Sequence, residues 1–395
     1  MPDRERIEAR LQALWEIALG PGGGADRPAF SAAEAQAMLL VAGWAREVGL
    51  EPGIDEFGNL WALPAGSDRV ATSGSHVDTV PDGGRYDGAL GTVLGLELAQ
   101  EIGSGLLVCA AEEAPRFGAG TVGSRLLVGM LPVSALETLV DASGTTAAQA
   151  RDEYLEALAE LPRVRPATER VRVHAEIHVA QRRALRELGI VTRVASPRRL
   201  RVTIAGRAGH SGEVAMSERH DALAAAAELI LAVESAARAE PPQTVATVGT
   251  IEIAPGAISV IPGRARLGID ARGISGQSLA RLDAAIRADA AAIATRRAVD
   301  VGVELVRAGE PVELDRVLAD AALHAAEARG IAATETWSGS GHDAQHLAAL
   351  FGTLLVFVPL EGGESHTPDE GADAADIEHA SLVVNDVLSV VSRSN

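Results

Sequence analysis

The chain has 395 residues, 47% apolar, 23% charged and only 3% aromatic, so its core must be built from Ala, Leu, Val and Ile and it reads as globular. A formal net charge of −19 repels nucleic acid and anionic membrane, and no uninterrupted apolar run reaches the roughly 18 residues of a membrane span. The length suggests two domains. All 35 basic residues are Arg. Eight of them cluster between 182 and 207, where no interleaved aromatic residues offer a stacking surface for bases, so a solvated domain edge is expected. Cys109, the single cysteine, excludes an internal disulfide framework and reads as a buried, inert thiol within GLLVCAA. The charged, helical-period segment MPDRERIEARLQALWEIA lacks the apolar stretch of a secretory signal. A cytoplasmic protein is therefore the default expectation.

Apolar spacing of three and four predicts amphipathic helices over 5–19 and 32–48. NLWALPA, VATSGSHVD and GLLVCAAEE read as strands, and GALGTVLGLELAQEI as a helix between the last two. Strands alternating with helices predict an α/β domain whose mostly parallel sheet is covered on both faces. The pattern changes near Ser196. RLRVTIAG, a helix over 221–238, TVATVGTIEIA, ARLGIDARG, a helix over 276–295 and VDVGVELVRAG follow in β-α-β-β-α-β order, which fits a ferredoxin-like α+β domain. After Pro311 the first pattern resumes (helices 313–329, 343–350 and 376–392, strand TLLVFVP). The expected organisation is thus a catalytic domain in two parts, 1–195 and 311–395, with an inserted domain at 196–310.

Four segments carry potential chemistry. In GSHVDTVPDGGRYDGALG a strand is expected to end at His76, with Asp78 two residues on and Asp87 in a Gly-rich loop before a helix. Strand ends are where open α/β sheets gather ligands, and imidazole with carboxylate suits zinc, cobalt, manganese or nickel. Asp78 is placed to orient the His76 imidazole. In CAAEEAPRFGAG an apolar strand ends in Glu112 and Glu113, whose mutual repulsion asks for a cation. One can ligate it while the other takes a proton from water. In VHAEIHVAQ, His174, Glu176 and His178 share one strand face, with His178 the ligand candidate and His174 structural. His366, in EGGESHTPDE after another strand, is a second candidate. Taken singly, each has a bland alternative as a polar loop or acidic turn.

Six ordered segments, GSHVDTVPDGGRYDGALG, AAEEAPRFG with GSRLLVG, EIHVAQ, AGHSG, GHDAQHLA and ESHTPDE, resemble the amidase/hydantoinase/carbamoylase branch of the zinc exopeptidase superfamily. That branch includes N-carbamoyl-L-amino-acid hydrolases, β-ureidopropionases and allantoate amidohydrolases. The resemblance spans nearly the whole chain. It implies a zinc-exopeptidase-like fold with a lid and dimerisation insertion, and two divalent ions per subunit (zinc, or manganese, cobalt or nickel), about 3.5–4 Å apart. It makes His76, Asp87, Glu113, His178 and His366 the ligands. Asp87 would bridge, His76 and His178 would complete one site, and Glu113 and His366 the other. Glu112 would be the general base. Peptidase relatives tend to carry an acidic residue where this chain has His178, which favours the amidohydrolase branch.

The resemblance also implies substrate contacts from Gln181, His210, Ser259 and Arg272. His210 would stabilise an oxyanion across a homodimer joined through the lid domains, and Arg272 would hold a substrate carboxylate. Three departures surround the substrate. Relatives commonly read H-I-E-Q-G where this chain has His178-Val179-Ala180-Gln181-Arg182, they have Asn at the position of Ser259, and they carry a Thr-Thr-Pro-Met run where this chain has GEVAMSERHDA. The expectation is a hydrolase of a small ureido or amide substrate bearing a carboxylate. Alternatives are an aminoacylase or dipeptidase of the same superfamily, or a non-catalytic binding protein on this fold.

Overall fold

The computed structural model describes residues 2–66, 69–182 and 184–393. Arg183 of the basic cluster lies outside them. The chain divides into two compact units, Met1–Thr192 with Glu313–Trp337 and Gly341–Asn395, and Arg193–Val312 with Ser338–Ser340.

The first unit is built on a nine-stranded mixed sheet. Across it run Leu50–Ile54, Leu60–Pro64, Gly105–Val108, Val70–Ser73, Val171–Val179, Gly352–Val358, Leu188–Val194 and Val312–Glu313, with Ala333–Ser338 paired to Leu188–Val194. The middle four are parallel, from Gly105–Val108 to Gly352–Val358, and their neighbours on both sides are antiparallel. These four are buried almost throughout, which is why they read as continuous apolar runs. Alternate side chains serve two cores. Leu106 and Val108 join the larger one with the helices Ala32–Glu47, Ala89–Ile102 and Ala374–Arg393, while Leu107 and Cys109 join a smaller one with Trp61, Leu347 and Phe351. Burial pushes the Cys109 thiol well above its usual range.

One expected strand is shorter than its sequence suggests. VATSGSHVD is paired only over Val70–Ser73, and His76 returns to the sheet by a single bridge to Cys109. The break is Gly74, at φ +151°, where a Cβ would lie 2.0 Å from the Leu107 carbonyl oxygen. The close approach of the neighbouring strand demands glycine and a kink. His76 and Asp78 therefore stand on a loop beyond the strand.

The second unit runs strand, helix, strand, strand, helix, strand: Ser196–Ala205, Ala222–Arg238, Val245–Ala254, Arg264–Gly273, Gly276–Arg297 and Asp300–Ala308. The sheet is antiparallel, with the first strand between the fourth and third and the second at the edge, the ferredoxin-like arrangement. Leu200, Val202, Ile204, Leu267 and Ile269 pack against Leu229, Leu282 and Ile286 of the helices. On the other face, charged residues oppose one another in register: Arg201 with Glu304, Arg266 with Glu252 and Arg199 with Asp270. Arg199 and Arg201 of the basic cluster are thus paired with carboxylates across strands. Among the described residues no helix is long and apolar enough to cross a membrane.

Candidate metal centre

His76 is buried, and its Nδ1 lies 3.1 Å from the Asp78 carbonyl oxygen and 3.4 Å from Asp78 Oδ1. Both neighbours are acceptors, so Nδ1 carries the proton and Nε2 keeps its lone pair. Asp78 Oδ1 and Oδ2 also accept the backbone N–H groups of Glu112 at 3.1 Å and Glu113 at 2.8 Å. One carboxylate thus fixes an imidazole and the turn that presents both glutamates. Ala111, just before them, has φ +54°, a strained conformation held by its N–H bond to Glu34 Oε1 at 2.9 Å.

Asp87 stands at the entrance of the helix Ala89–Ile102. Gly88 follows it at φ +66°, and a Cβ there would come within 2.4 Å of the His76 ring, so glycine lets the loop close over the imidazole. Asp87 Oδ1 lies 3.0 Å from His178 Nε2 and 3.7 Å from His76 Nε2, and the two Nε2 atoms are 3.4 Å apart. His178 Nδ1 lies 3.0 Å from the Val179 carbonyl oxygen, which again leaves the lone pair on Nε2. Asp87 Oδ2 faces the other way, 3.0 Å from His366 Nε2, which is 3.4 Å from Glu113 Oε1. His366, at φ +62°, follows the strand Gly352–Val358 and a Gly362-Gly363 turn. Glu112 Oε2 lies 3.9 Å from His76 Nε2.

Among the described residues three groups of ligand-type atoms lie within 4.8 Å of one another: His76–Asp87–His178 and Asp87–Glu113–His366, which share Asp87, and Glu176–His178–His342 behind the first. Two observations show that this donor set fits divalent metal. Asp87 Oδ1 is buried and makes no hydrogen bond. Nε2 of His76, Nε2 of His178 and Oδ1 of Asp87 converge, with both Nδ1 atoms turned to backbone carbonyl oxygens.

The electrostatics ask for the same thing. Burial pushes the Glu112 carboxyl well up, assisted by Glu113 and opposed by His76. Burial and Asp87 raise Glu113 to about 7. Burial would depress His76, but Asp78, Glu112 and Asp87 outweigh it and raise its pKa. A hydrogen bond with Asp87 raises His366 to about 9. Acids holding protons and imidazoles seeking them describe one centre short of positive charge.

Gln181 Nε2 donates to Asp87 Oδ2 at 3.2 Å and is 3.2 Å from His366 Nε2, so it borders the second group. His174 does not reach the centre. It is buried with Nδ1 3.0 Å from Thr72 Oγ1, and burial lowers it to about 3.

Supporting contacts emerge that the sequence alone did not show. Glu370 accepts the backbone N–H groups of Tyr86 at 2.8 Å and Asp87 at 3.1 Å and the Ser365 hydroxyl at 2.9 Å, while that hydroxyl also lies 3.0 Å from Asp87 Oδ2. Glu176 accepts from Ser75 Oγ at 2.8 Å and from Ala344 N at 2.7 Å. The His342 ring packs edge-on against His178 with centroids 4.5 Å apart. Glu370 ends the ESHTPDE segment and His342 lies in GHDAQHLA, so their motifs were visible while their partners were not.

The remaining expected contacts lie in the second unit. His210 pairs with Val260 across two short strands, and Ser211 N donates to the Ser259 carbonyl at 3.0 Å, so His210 and Ser259 are neighbours. His210 is exposed, and its Nδ1 accepts from Gly212 N at 3.0 Å, which puts the proton on Nε2, free to donate. Arg272 donates to Asp270 Oδ2 at 3.0 Å and to the Gly339 carbonyl oxygen at 3.3 Å.

Comparison with known proteins places this geometry. The chain is 36% identical over 388 residues to an N-carbamoyl-L-amino acid amidohydrolase of Geobacillus stearothermophilus, with 94% of each covered. It is 30% identical over 403 residues to an allantoate amidohydrolase of Bacillus subtilis, covering 98% of this chain and 97% of the relative. Among solved structures, an amidase of the hydantoinase/carbamoylase family from Burkholderia multivorans superposes with a TM-score of 0.86 at 29% identity, covering 98% of both chains. Residues 73–389 match the model of peptidase family M20/M25/M40. With the converging imidazoles and carboxylates lying inside that span, the chain belongs to the peptidase M20/M25/M40 family and resembles its hydantoinase/carbamoylase amidases.

Proposed function

We propose that this protein is a metal-dependent amidohydrolase that cleaves the ureido or carbamoyl C–N bond of a small carboxylate-bearing substrate, such as an N-carbamoyl amino acid. The observation that carries the reading is His178 beside Asp87 and His76: an imidazole completes the first ligand group. Matches along the full chain to relatives named for carbamoyl amino acids and allantoate support it.

His76, Asp87 and His178 would hold one divalent ion and Asp87, Glu113 and His366 another. Metal at this centre supplies Lewis acidity and, with it, a water nucleophile usable at neutral pH. Glu112, beside His76, takes the proton from the attacking water and returns it to the leaving nitrogen. Its buried carboxyl holds a proton more readily than a free one, which suits both transfers. Asp78 fixes His76 and the Glu112–Glu113 turn, and Gln181 borders the Asp87–His366 side. Arg272 would anchor the substrate carboxylate. His210, with its proton on Nε2, would donate to the developing oxyanion in the site of a second protomer, in a homodimer joined through the inserted unit. Water adds across the ureido carbonyl, the C–N bond breaks, and the amine leaves with the proton from Glu112. The carbamic acid remaining gives carbon dioxide and ammonia.

The test is ammonia release from N-carbamoyl-L-amino acids, N-carbamoyl-β-alanine and allantoate by protein loaded separately with zinc, manganese, cobalt or nickel. Ammonia from one of them, abolished by Glu112→Gln, is the expected result. Amino acid released from N-acetyl substrates without ammonia from any ureido compound would instead select the aminoacylase chemistry. Full activity at dilutions where the protein is monomeric would refute the shared site.

A further inference from the structure

Arg182 follows Gln181, whose amide touches Asp87 and His366. Its guanidinium lies over the Trp337 ring, 4.5 Å from the centroid. Trp337 is five residues before His342, which packs on His178. Arg182 is thus next in chain to a residue that borders the metal centre, and Trp337 leads by a short segment to the His342 that packs on His178. Both are half-buried.

What distinguishes Arg182 is the state of its charge. Its hydrogen bonds are long and go to neutral acceptors, Thr336 Oγ1 at 3.4 Å and the Trp337 carbonyl oxygen at 3.5 Å. No carboxylate pairs with it among the described residues. Other arginines of this unit near the same loops are committed. Arg85 is bound to Glu8 at 2.6 Å, Arg27 to the Val77 and Leu14 carbonyls at 2.7 and 2.8 Å, and Arg116 to the Ala29 carbonyl at 2.8 Å and to Asp141 at 3.2 Å. A guanidinium stacked on indole gains from the ring face and is held in one orientation. Its edge donors stay available, and the natural occupant of such a planar fork is a carboxylate.

We propose that Arg182, held by Trp337, is an anion-recognition point of the catalytic unit that binds a carboxylate of the substrate. This deepens the amidohydrolase reading, since it assigns a specificity residue to that same site. The carboxylate has two sources in an amino acid derivative, the α-carboxylate, which Arg182 would then share with Arg272, or an acidic side chain.

The test is calorimetric binding of L-alanine and L-glutamate to the metal-loaded protein, to Arg182→Met and to Trp337→Ala, with melting temperatures checking that each variant folds. L-Alanine offers only the α-carboxylate, whereas L-glutamate adds a second. If Arg182 holds the α-carboxylate, Arg182→Met weakens both ligands by about tenfold or more, the scale of a charge-assisted contact. If it holds a side-chain carboxylate, the wild type prefers L-glutamate by a similar factor, and Arg182→Met removes that preference while sparing L-alanine. Trp337→Ala should show the same pattern at smaller size. Binding unchanged in Arg182→Met, or no binding of either amino acid to the wild type, overturns the proposal. Ammonia release run alongside separates the two readings. Turnover with an unchanged KM in Arg182→Met leaves the amidohydrolase standing and removes this role. Arg182-dependent binding without ammonia from any ureido substrate does the reverse.

Discussion

The carboxylate of Asp78 accepts two consecutive backbone N–H groups, those of Glu112 and Glu113, while standing 3.4 Å from His76 Nδ1. Asp78→Asn keeps the size but turns one acceptor into a donor that faces an N–H. Metal affinity or kcat should fall about 10- to 100-fold, the usual cost of losing a partner of a metal-ligating His, with little change in melting temperature. Metal titration and steady-state kinetics decide it, and wild-type values in both would show that Asp78 is not the linchpin.

Glu112→Gln removes the proton carrier but leaves every proposed ligand in place. A loss of about 10²- to 10⁴-fold in kcat is expected, with full metal content by elemental analysis. A variant that instead loses its metal would move Glu112 from proton transfer to ligation.

Without metal, the centre should become less stable as pH rises. Burial raises Glu113, Asp343 and Glu370 to about 7, above their unfolded values. Such acids contribute stability at low pH that is lost as pH climbs through about 7. His366, raised to about 9 from 6.5, contributes stability below pH 6.5 that is lost through about 9. The acids lose this stability up to about pH 7 and His366 between 6.5 and about 9, so the loss continues with one sign from pH 6 to 9, and bound cations replace the missing protons. The gap in melting temperature between metal-loaded and chelated protein should therefore widen from pH 6 to pH 8.5. A constant or narrowing gap would contradict this account.

His174 acts in the opposite window. Its pKa falls from 6.5 to about 3 by burial, so below pH 6.5 the unfolded chain binds a proton that the folded chain refuses. Stability is lost as pH falls, by about 2 kcal/mol at pH 5 from this residue alone. Urea unfolding of His174→Gln at pH 7.5 and pH 5 should show a shallower decline than the wild type by that amount.

Much of the fold was legible because its strands are apolar, short and bounded by turn residues, as in TLLVFVP. The polar Ala333–Ser338 and the Arg-containing Leu188–Val194 were not read as strands, since pairing rather than composition puts them in the sheet. His76, Asp87, Glu112, Glu113, His178 and His366 were each marked by a strand end or a Gly-rich turn, and the structure brings them together. Glu370 left no such mark. Its role rests on backbone N–H groups 283 and 284 residues earlier, and backbone donors look alike in every sequence. Gly74 was read as part of a strand because its close approach to Leu107 is a property of the neighbour.

The Glu370 contacts set an order of assembly. Asp87 and its loop are made early, but the groups that hold them, Ser365 and Glu370, and the ligand His366 come from the last stretch of the catalytic unit, after the inserted unit has left the ribosome. Synthesis proceeds at about 5–20 residues per second, so a growing chain carries three imidazole and carboxylate donors of the first group for many seconds before the second exists. Until residue 370 emerges, the Tyr86 and Asp87 amides lack their acceptor. The second donor group can therefore form only after the inserted unit has been synthesised.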